Sequence, residues 1–217
     1  MLTHLCEPSP HLRPFPLYED VFNQPLEFHR THFLPLVSVN PAAIYPDLDL
    51  WLHFVAPIEP LLELDIGYFT EEFHDQYNRQ GQFAFRLHSS RYAFTGHANY
   101  LAYESGAIFT AFPGQDAEIQ ADRQRRISTY EATRQRYQQT GKLCMTGRES
   151  AALPFVDQLG GAPRPGNWGT DPPRNSRGTA FRFIGEAKGF LYCEGSGFLL
   201  LYYDPEEEIA LIRMDWT

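Results

Sequence analysis

The sequence predicts a β-rich α+β fold, and three observations support this prediction. Aromatic residues make up 15% of the 217 residues, with 17 Phe and 12 Tyr, and aromatic side chains favour pleated, half-buried strands. The 17 Pro and 16 Gly indicate many turns. Residues 116–141 have the pattern of one long helix. We therefore expect a single domain over 1–217, with an extended arm (1–20), a first antiparallel β-unit (21–115), the connecting helix, and a similar second β-unit (142–217).

Short apolar runs between turn residues predict the strands of both units. The turn at Asp204 and Pro205 makes a hairpin of the last two runs. Segment 59–66 fits either a short helix or a strand, and 70–79 predicts a short helix or turn. His29 to His32 are expected in a strand or loop, because Pro35 and a Val-rich run follow them. The predicted strand runs are PLVSV, LDLWLHFV, QFAFRLH (82–88), AIFTAF (107–112), TAFRFIG, GFLYC, GFLLLYY and EIALIRMDW.

The helix predicted at 116–141 begins with acidic residues, has basic residues toward its end, and can end at Gly141. Its apolar stripe is thin, so we expect one narrow face to rest on the body. Its basic cluster, Arg123, Arg125 and Arg126, is expected to be solvated and joined to neighbouring acids by ion pairs. The next segment, 160–178, has six Gly or Pro among its first ten residues, which is typical of a long functional or mobile loop.

Charge and composition exclude several classes of protein. The net charge of −9 disfavours nucleic-acid binding and suits a basic protein partner. No apolar run approaches the roughly 20 residues of a membrane-spanning helix, and the first residues lack the pattern of a secretion signal. The scattered cysteines Cys6, Cys144 and Cys193 form no CxxC pair and indicate free thiols in a reducing compartment. We therefore expect a cytoplasmic protein without a cofactor, a metal, a membrane or a nucleic acid.

A comparison of the chain with itself predicts an internal duplication. Ala84-Phe85-Arg86-Leu87 matches Ala180-Phe181-Arg182-Phe183. Glu104-Ser105-Gly106 followed by AIFTAF matches Glu194-Gly195-Ser196-Gly197 followed by FLLLYY. These matches occur in the same order in both halves, which predicts two copies of one β-unit sharing a core.

Three segments near the C-terminal end, PFVDQLGGAP (154–163), FRFIGEA (181–187) and GSGFLLLYYDPEEEIALIRMDWT (195–217), resemble the YwqG-like family of bacterial proteins. In that family a QLGG-x-P loop precedes a strand such as FLGQI, and a G-x-x-G-x-L-Y-x-F-Y-D-P hairpin follows. The resemblance implies a β-rich fold with an internal duplication. Some family members occur beside toxins as candidate immunity proteins, which implies a role in binding a toxin. This chain departs from the pattern in having Glu186 where the family has Gln, and in lacking the Gly-Gly loop in its first half.

No set of residues predicts a catalytic or metal site. His29 and His32 have no third ligand nearby in the sequence. His88 and His97, with the serines between them, could be drawn as a nucleophile and base, but no nucleophile elbow is present. Cys193 lies in an apolar run and is expected to be a core residue rather than a nucleophile. The phosphate-loop spacings are absent.

Two sets of residues are the candidate binding sites. Arg86 and Arg182 occupy matched positions, as do Glu104 and Glu194, so we expect either structural Arg–Glu bridges or a polar cleft between the two units. Trp168 and Asp171 lie in the Gly- and Pro-rich loop, where an exposed Trp would suit a protein contact and a buried one would pack under its own loop.

These observations favour a non-catalytic interaction protein, and the YwqG-like resemblance implies an immunity protein that binds a bacterial toxin. The alternative is an enzyme or small-molecule-binding protein that uses the cleft between the two units.

Overall fold

The computed structural model describes residues 1–59, 65–144, 151–164 and 166–216. Within these ranges the protein is a strand-rich α+β structure, which confirms the predicted fold class. Its strands are β1 (Leu2–Leu5), β2 (Leu12–Pro14), β3 (Phe33–Val39), β4 (Leu52–Pro57), β5 (Gln82–His88), β6 (Arg91–Phe94), β7 (Val156–Leu159), β8 (Arg182–Lys188), β9 (Phe198–Asp204) and β10 (Ile209–Asp215). Its α-helices are α1 (Tyr18–Val21), α2 (Leu26–His32), α3 (Ala102–Ser105), α4 (Ala107–Ala111) and α5 (Asp116–Thr140), and 3-10 turns lie at Pro41–Ala43, Glu71–Phe73, Ala98–Tyr100 and Gly189–Leu191.

The larger of the two sheets draws its strands from the whole chain. It has seven strands in the order β1-β7-β8-β9-β10-β5-β6, with antiparallel pairing throughout. β5, from the predicted first unit, pairs with β10, from the second, so that Ala84 lies opposite Leu211. The predicted arm contributes β1 to this sheet and β2 to the three-stranded sheet β2-β3-β4. The two predicted units therefore share one sheet.

Both faces of the seven-stranded sheet are buried. Along β9, Leu199 and Leu201 belong to the main core, which also contains the apolar residues of β3 and β4, whereas Leu200 and Tyr202 belong to a smaller cluster. We call the first face the inner face and the second the outer face. Because neither face of β9 and β10 is left to water, both strands appear in the sequence as continuous apolar runs. The outer cluster consists of Ala84, Phe181, Phe183, Leu200, Tyr202, Ile209 and Leu211, with Tyr77 packed against it.

Helix α5 ends where the sequence predicts, because Gly141 adopts the left-handed conformation (φ +70°) that ends helices. The expectation that its basic cluster is solvated is wrong for Arg123 and Arg126, whose side chains are buried. Arg126 Nε donates to Asp122 at 2.9 Å, and Nη1 donates to the carbonyl of Gly195 at 2.6 Å. A helix with few apolar residues uses the aliphatic stems of its arginines to cover the body, while their guanidinium groups bond to backbone carbonyls.

Three local predictions differ from the structure. Residues 107–112 contain α4 instead of a strand, because Ile108 packs against Ile119 of α5 on one helical face. The histidines His29 and His32 lie in α2, where a spacing of three residues places both in the buried part of the helix. The run GFLYC forms a 3-10 turn at Gly189–Leu191.

The structure does not show the predicted duplication. The first matched blocks do lie in strands or next to them, in β5 and at the start of β8. In the second pair of blocks, however, AIFTAF forms helix α4 and FLLLYY forms strand β9. Two similar sequences thus have different conformations. AIFTAF buries one face of a helix against α5, whereas FLLLYY buries both faces of a strand.

Two further points concern the remaining segments. Residues 60–64 of the predicted helix or strand at 59–66 lie outside the described residues, and the segment 70–79 contains the 3-10 turn Glu71–Phe73. None of the helices in the described part of the chain is both long enough and apolar enough to cross a membrane.

Candidate functional site

The two matched arginines lie at separate places and do not form the predicted Arg–Glu bridges. Arg86 Nη1 donates to the carbonyl of Glu207 at 3.0 Å, beside the turn that joins β9 and β10. Arg182 forms an ion pair with Asp47 at 2.5 Å, and its guanidinium lies over the ring of Tyr45. The hydrogen bond from Arg182 lowers the pKa of Asp47. Each arginine holds a separate turn or loop beside its own strand, and no residue is shared between the two sets of contacts.

The matched glutamates also have other partners. Glu194 forms an ion pair with Nε of Arg125 on α5 at 3.2 Å. Glu104 lies 3.1 Å from His32 Nε2. Because both glutamates are about half exposed, these pairs are expected to contribute little to stability.

His32 belongs to a buried polar cluster that sequence analysis missed. Its Nδ1 lies 3.8 Å from Oε1 of Glu59, and both side chains are almost fully buried. Oε2 of Glu59 accepts the backbone N–H of Tyr103 at 3.1 Å, and Arg123 donates to the carbonyl of Thr31. This cluster ties the end of α2 to the end of β4 and to α3 and α5. Among the described residues, no group of three His, Cys, Asp or Glu side chains could hold a metal ion.

The loop residues Trp168 and Asp171 both meet Arg213 of β10. The Trp168 ring lies 4.8 Å from the Arg213 guanidinium, and its Nε1 donates to the carbonyl of Met214 at 2.7 Å. Arg213 Nη1 donates to the carbonyl of Asp171 at 2.7 Å. Trp168 is therefore half-buried against the outer face. Of the two predicted alternatives, a fully exposed Trp and a Trp packed under its own loop, the second agrees better with the structure.

Exposed aromatic side chains gather near Trp168, where β9 begins and β10 ends. Phe190 and Trp216 are 48% and 42% exposed, and they are two of the six large apolar side chains that are exposed in the described ranges. We call the surface made by Trp168, Phe190, Phe198 and Trp216 the aromatic end.

One ring contact and the pairing of β9 with β10 place the members of the aromatic end near one another. The Phe190 and Phe198 rings lie 5.5 Å apart, and Phe198 pairs across the sheet with Asp215, the residue before Trp216. Trp168 donates to the carbonyl of Met214, two residues before Trp216, and Trp216 Nε1 donates to Asp65 at 2.9 Å.

Ser38 and His53 form a second polar pair that sequence analysis missed. They lie directly opposite each other on β3 and β4, and their Oγ and Nδ1 atoms are 2.7 Å apart. His53 Nε2 lies 2.9 Å from the carbonyl of Ser90. Since a carbonyl can only accept, Nε2 carries the proton and Nδ1 accepts the Ser38 hydroxyl. Burial lowers the pKa of His53 to about 4, so its ring is neutral at pH 7.

The serine and histidine set considered around residues 88–97 does not form a catalytic arrangement. His97 Nδ1 accepts the backbone N–H of Asn99 at 3.1 Å, and its ring stacks on Phe73. Burial raises the pKa of Cys193 to about 11, which keeps this thiol protonated and unreactive at neutral pH. Cys193 is fully buried, as a core residue would be.

No model of a protein family, no curated protein and no solved structure gave a significant match to this chain. The YwqG-like resemblance therefore remains a prediction that depends on its motifs.

Proposed function

We propose that this chain is a non-catalytic interaction protein that binds a basic protein through its aromatic end. A bacterial toxin is the partner class that the YwqG-like resemblance suggests, which would make the chain a cytoplasmic immunity protein. The observation that supports the proposal is the presence of two exposed aromatic side chains, Phe190 and Trp216, at the end of the β9–β10 hairpin where Phe198 pairs with Asp215.

The composition of the aromatic end fits a protein contact. Aromatic and arginine side chains dominate the binding energy of protein interfaces. Arg164 lies 5.3 Å from the ring of Phe198, and Arg213 lies against Trp168, so both residue types occur side by side. Phe198 lies on β9, which is paired along its length with β10, so this ring is held on a regular support and loses little freedom on binding.

The charge of the chain favours a basic partner. The net charge of −9 attracts a basic protein over distances of about one Debye length, which is roughly 8 Å at physiological salt. This attraction raises the association rate more than the final affinity. We therefore expect the association rate constant to fall as salt is added, with a smaller change in the dissociation rate.

The test pairs a surface variant with a matched control in a toxin-protection assay. Phe190→Ser with Trp216→Ser removes two exposed rings from the aromatic end, whereas Leu2→Ser with Leu17→Ser removes two exposed apolar side chains elsewhere. Cells expressing the toxin encoded beside this gene should survive with the wild-type chain and the control, and should die with the aromatic-end variant.

Binding should follow protection in the same order. Purified wild-type chain and the control should form a 1:1 complex with the toxin, and the aromatic-end variant should bind at least tenfold more weakly, which corresponds to about 1.4 kcal/mol. Failure of the wild-type chain to protect against any neighbouring toxin, or equal binding by the two double variants, would refute the proposal.

A further inference from the structure

A small cavity lies between the three-stranded sheet and the β5–β6 turn, away from the aromatic end. Its volume is about 240 Å³, below the roughly 300–1,000 Å³ of sites that hold drug-sized ligands. Ser38 and His53 lie on neighbouring strands, and Trp51 and Pro16 add apolar surface. Arg13, Asp20 and the segment Ser89–Arg91 complete the lining.

Two arginines of this cavity have guanidinium groups without a hydrogen-bond or ion-pair partner in the described parts of the chain. Arg13 lies on β2 and stacks over the ring of Trp51, with the guanidinium carbon 3.8 Å from the ring centre. Arg91 begins β6 and is exposed. Every other arginine in the described parts of the chain has a hydrogen bond or an ion pair from its guanidinium group, to a carboxylate, to a backbone carbonyl or to Gln82 Oε1. That both unpaired guanidinium groups line one cavity is the main observation behind the inference.

The deepest residues of the cavity carry no charge that would oppose an anion. Ser38 donates its hydroxyl proton to His53, whose other nitrogen bonds to the carbonyl of Ser90. The imidazole is neutral at pH 7 because it is buried. This chain of bonds fixes the position of the Ser38 oxygen in the cavity lining.

The local charge is positive although the whole chain is acidic. Asp20 is the one carboxylate among the lining residues, so Arg13 and Arg91 leave the cavity with a formal charge of +1. At physiological salt, charges farther away than roughly 8 Å are largely screened. The two arginines therefore determine which ions the cavity attracts, and the net charge of the chain has little effect there.

We propose that this cavity binds a small oxyanion, a phosphate or carboxylate group carried on a small flat molecule. The planar fork of an arginine matches both groups by paired hydrogen bonds. Trp51 and Pro16 provide apolar surface for the flat body of the ligand. The site is independent of the aromatic end, so the proposal for the cavity and the proposal for the protein contact can be confirmed or refuted separately.

Titrations of the full chain test the proposal with inorganic phosphate, phenyl phosphate and benzoate as probes. Tryptophan fluorescence, to which Trp51 contributes, and calorimetry report the dissociation constant. We expect phenyl phosphate or benzoate to bind saturably at 1:1, and the tighter of the two identifies the preferred oxyanion. Inorganic phosphate should bind at least tenfold more weakly than phenyl phosphate, and equal binding of the two would refute the role of the flat body.

Variants connect any binding to the two arginines. Arg91→Gln should weaken binding at least tenfold, which corresponds to about 1.4 kcal/mol, and should fold normally because the side chain has no partner to lose. Arg13→Gln should weaken binding similarly and provides a second test. Arg177→Gln, a 78% exposed arginine near Glu206, changes the net charge equally and should bind as the wild type does. Absence of saturable binding for all probes, unchanged binding by both cavity variants, or equal weakening by Arg177→Gln would overturn the proposal.

Discussion

The inner and outer faces of the seven-stranded sheet are both buried, but they are covered in different ways. The inner face packs against a second sheet and α5 in one large core, and its centre is a group of stacked and edge-on rings that includes Phe33, Phe83 and Phe85. The outer face has a cluster of seven buried residues, Phe181 among them, beneath irregular chain that includes Trp168. Regular elements thus cover one face, and loops cover the other.

This difference explains where the candidate contact surface lies. A loop that lies over a sheet presents its own side chains to solvent and can vary without disturbing the main core. The aromatic end is at the border of the outer face, where this covering ends. The inner face instead provides stability, and its polar groups are either paired, like Ser38 and His53, or lie between two glutamates, like His32. Four predictions test this contrast.

Phe33→Ala should have the largest effect because its ring fills the inner core. The side chain is fully buried, and its ring centre lies 6.2, 5.8 and 5.1 Å from those of Phe22, Phe83 and Phe85. We expect the free energy of unfolding, measured in urea, to fall by about 3–5 kcal/mol. Phe183→Ala on the outer face is the matched control and should cost about 3 kcal/mol or less, because loops can collapse into the space. Equal losses would remove the proposed contrast.

The stability of the inner face should depend on pH through His53. Its pKa is about 4 in the folded chain and 6.5 in an unfolded one, so between these values only the unfolded state binds the extra proton. The contribution of neutral His53 to stability should therefore be fully present above pH 6.5. The free energy of unfolding should fall by about 3 kcal/mol as the pH decreases to 4.

His53→Gln isolates this contribution, because the other titrating groups are the same in both chains. The difference in unfolding free energy between wild type and variant should shrink as the pH falls from 7 to 4. A constant difference over that range would contradict the prediction.

The two deeply buried glutamates should respond differently to replacement by Gln. Glu59, which follows β4 on the inner side, faces the buried His32, and Glu59→Gln should cost about 2 kcal/mol because it replaces a buried carboxylate oxygen with an amide N–H group. Glu186 on β8 pairs with Arg164, which is 54% exposed and stays in contact with water. Glu186→Gln keeps an oxygen that can accept from Arg164, so it should change stability by less than about 1 kcal/mol. Thermal unfolding of both variants checks this order, and a larger loss for Glu186→Gln would reverse it.

Trp168→Phe should have the smallest effect. The replacement keeps a ring over Arg213 and removes the N–H that donates to Met214, which should cost about 1 kcal/mol. Trp216→Phe loses a more exposed hydrogen bond to Asp65 and should be nearly neutral. Chemical unfolding of the two single variants tests whether loop cover on the outer face depends on this bond.

The elements predicted correctly from the sequence are those in which local residue preferences agree with the way the element packs. β5, β9 and β10 are apolar runs bounded by turn residues, and the left-handed Gly141 ends α5, so local chemistry was sufficient for them. AIFTAF has the same composition as a strand, and only its contact with Ile119 on α5 makes it helical. That contact joins separate elements, so local propensity could not reveal it.

The candidate sites were harder to predict because they join distant residues. Arg13 and Arg91 meet only when the three-stranded sheet packs near the β5–β6 turn. Ser38 and His53 face each other across β3 and β4, so pairing these two runs as a hairpin would have brought them together. The prediction for Arg86 and Arg182, in contrast, relied on a repeat in the sequence, and the structure shows no corresponding structural repeat.

The position of β10 has a consequence for folding during synthesis. The β5–β6 hairpin cannot join the large sheet until β10 exists, since Arg86 pairs with Ile209. At roughly 5–20 residues per second, a ribosome needs roughly 6–24 s to make the intervening ~120 residues. Throughout that interval Phe83 and Phe85 lack β10 as a neighbour, although β6 is already present. A chaperone that shields nascent apolar strands should therefore increase the yield of native protein most when translation is slow.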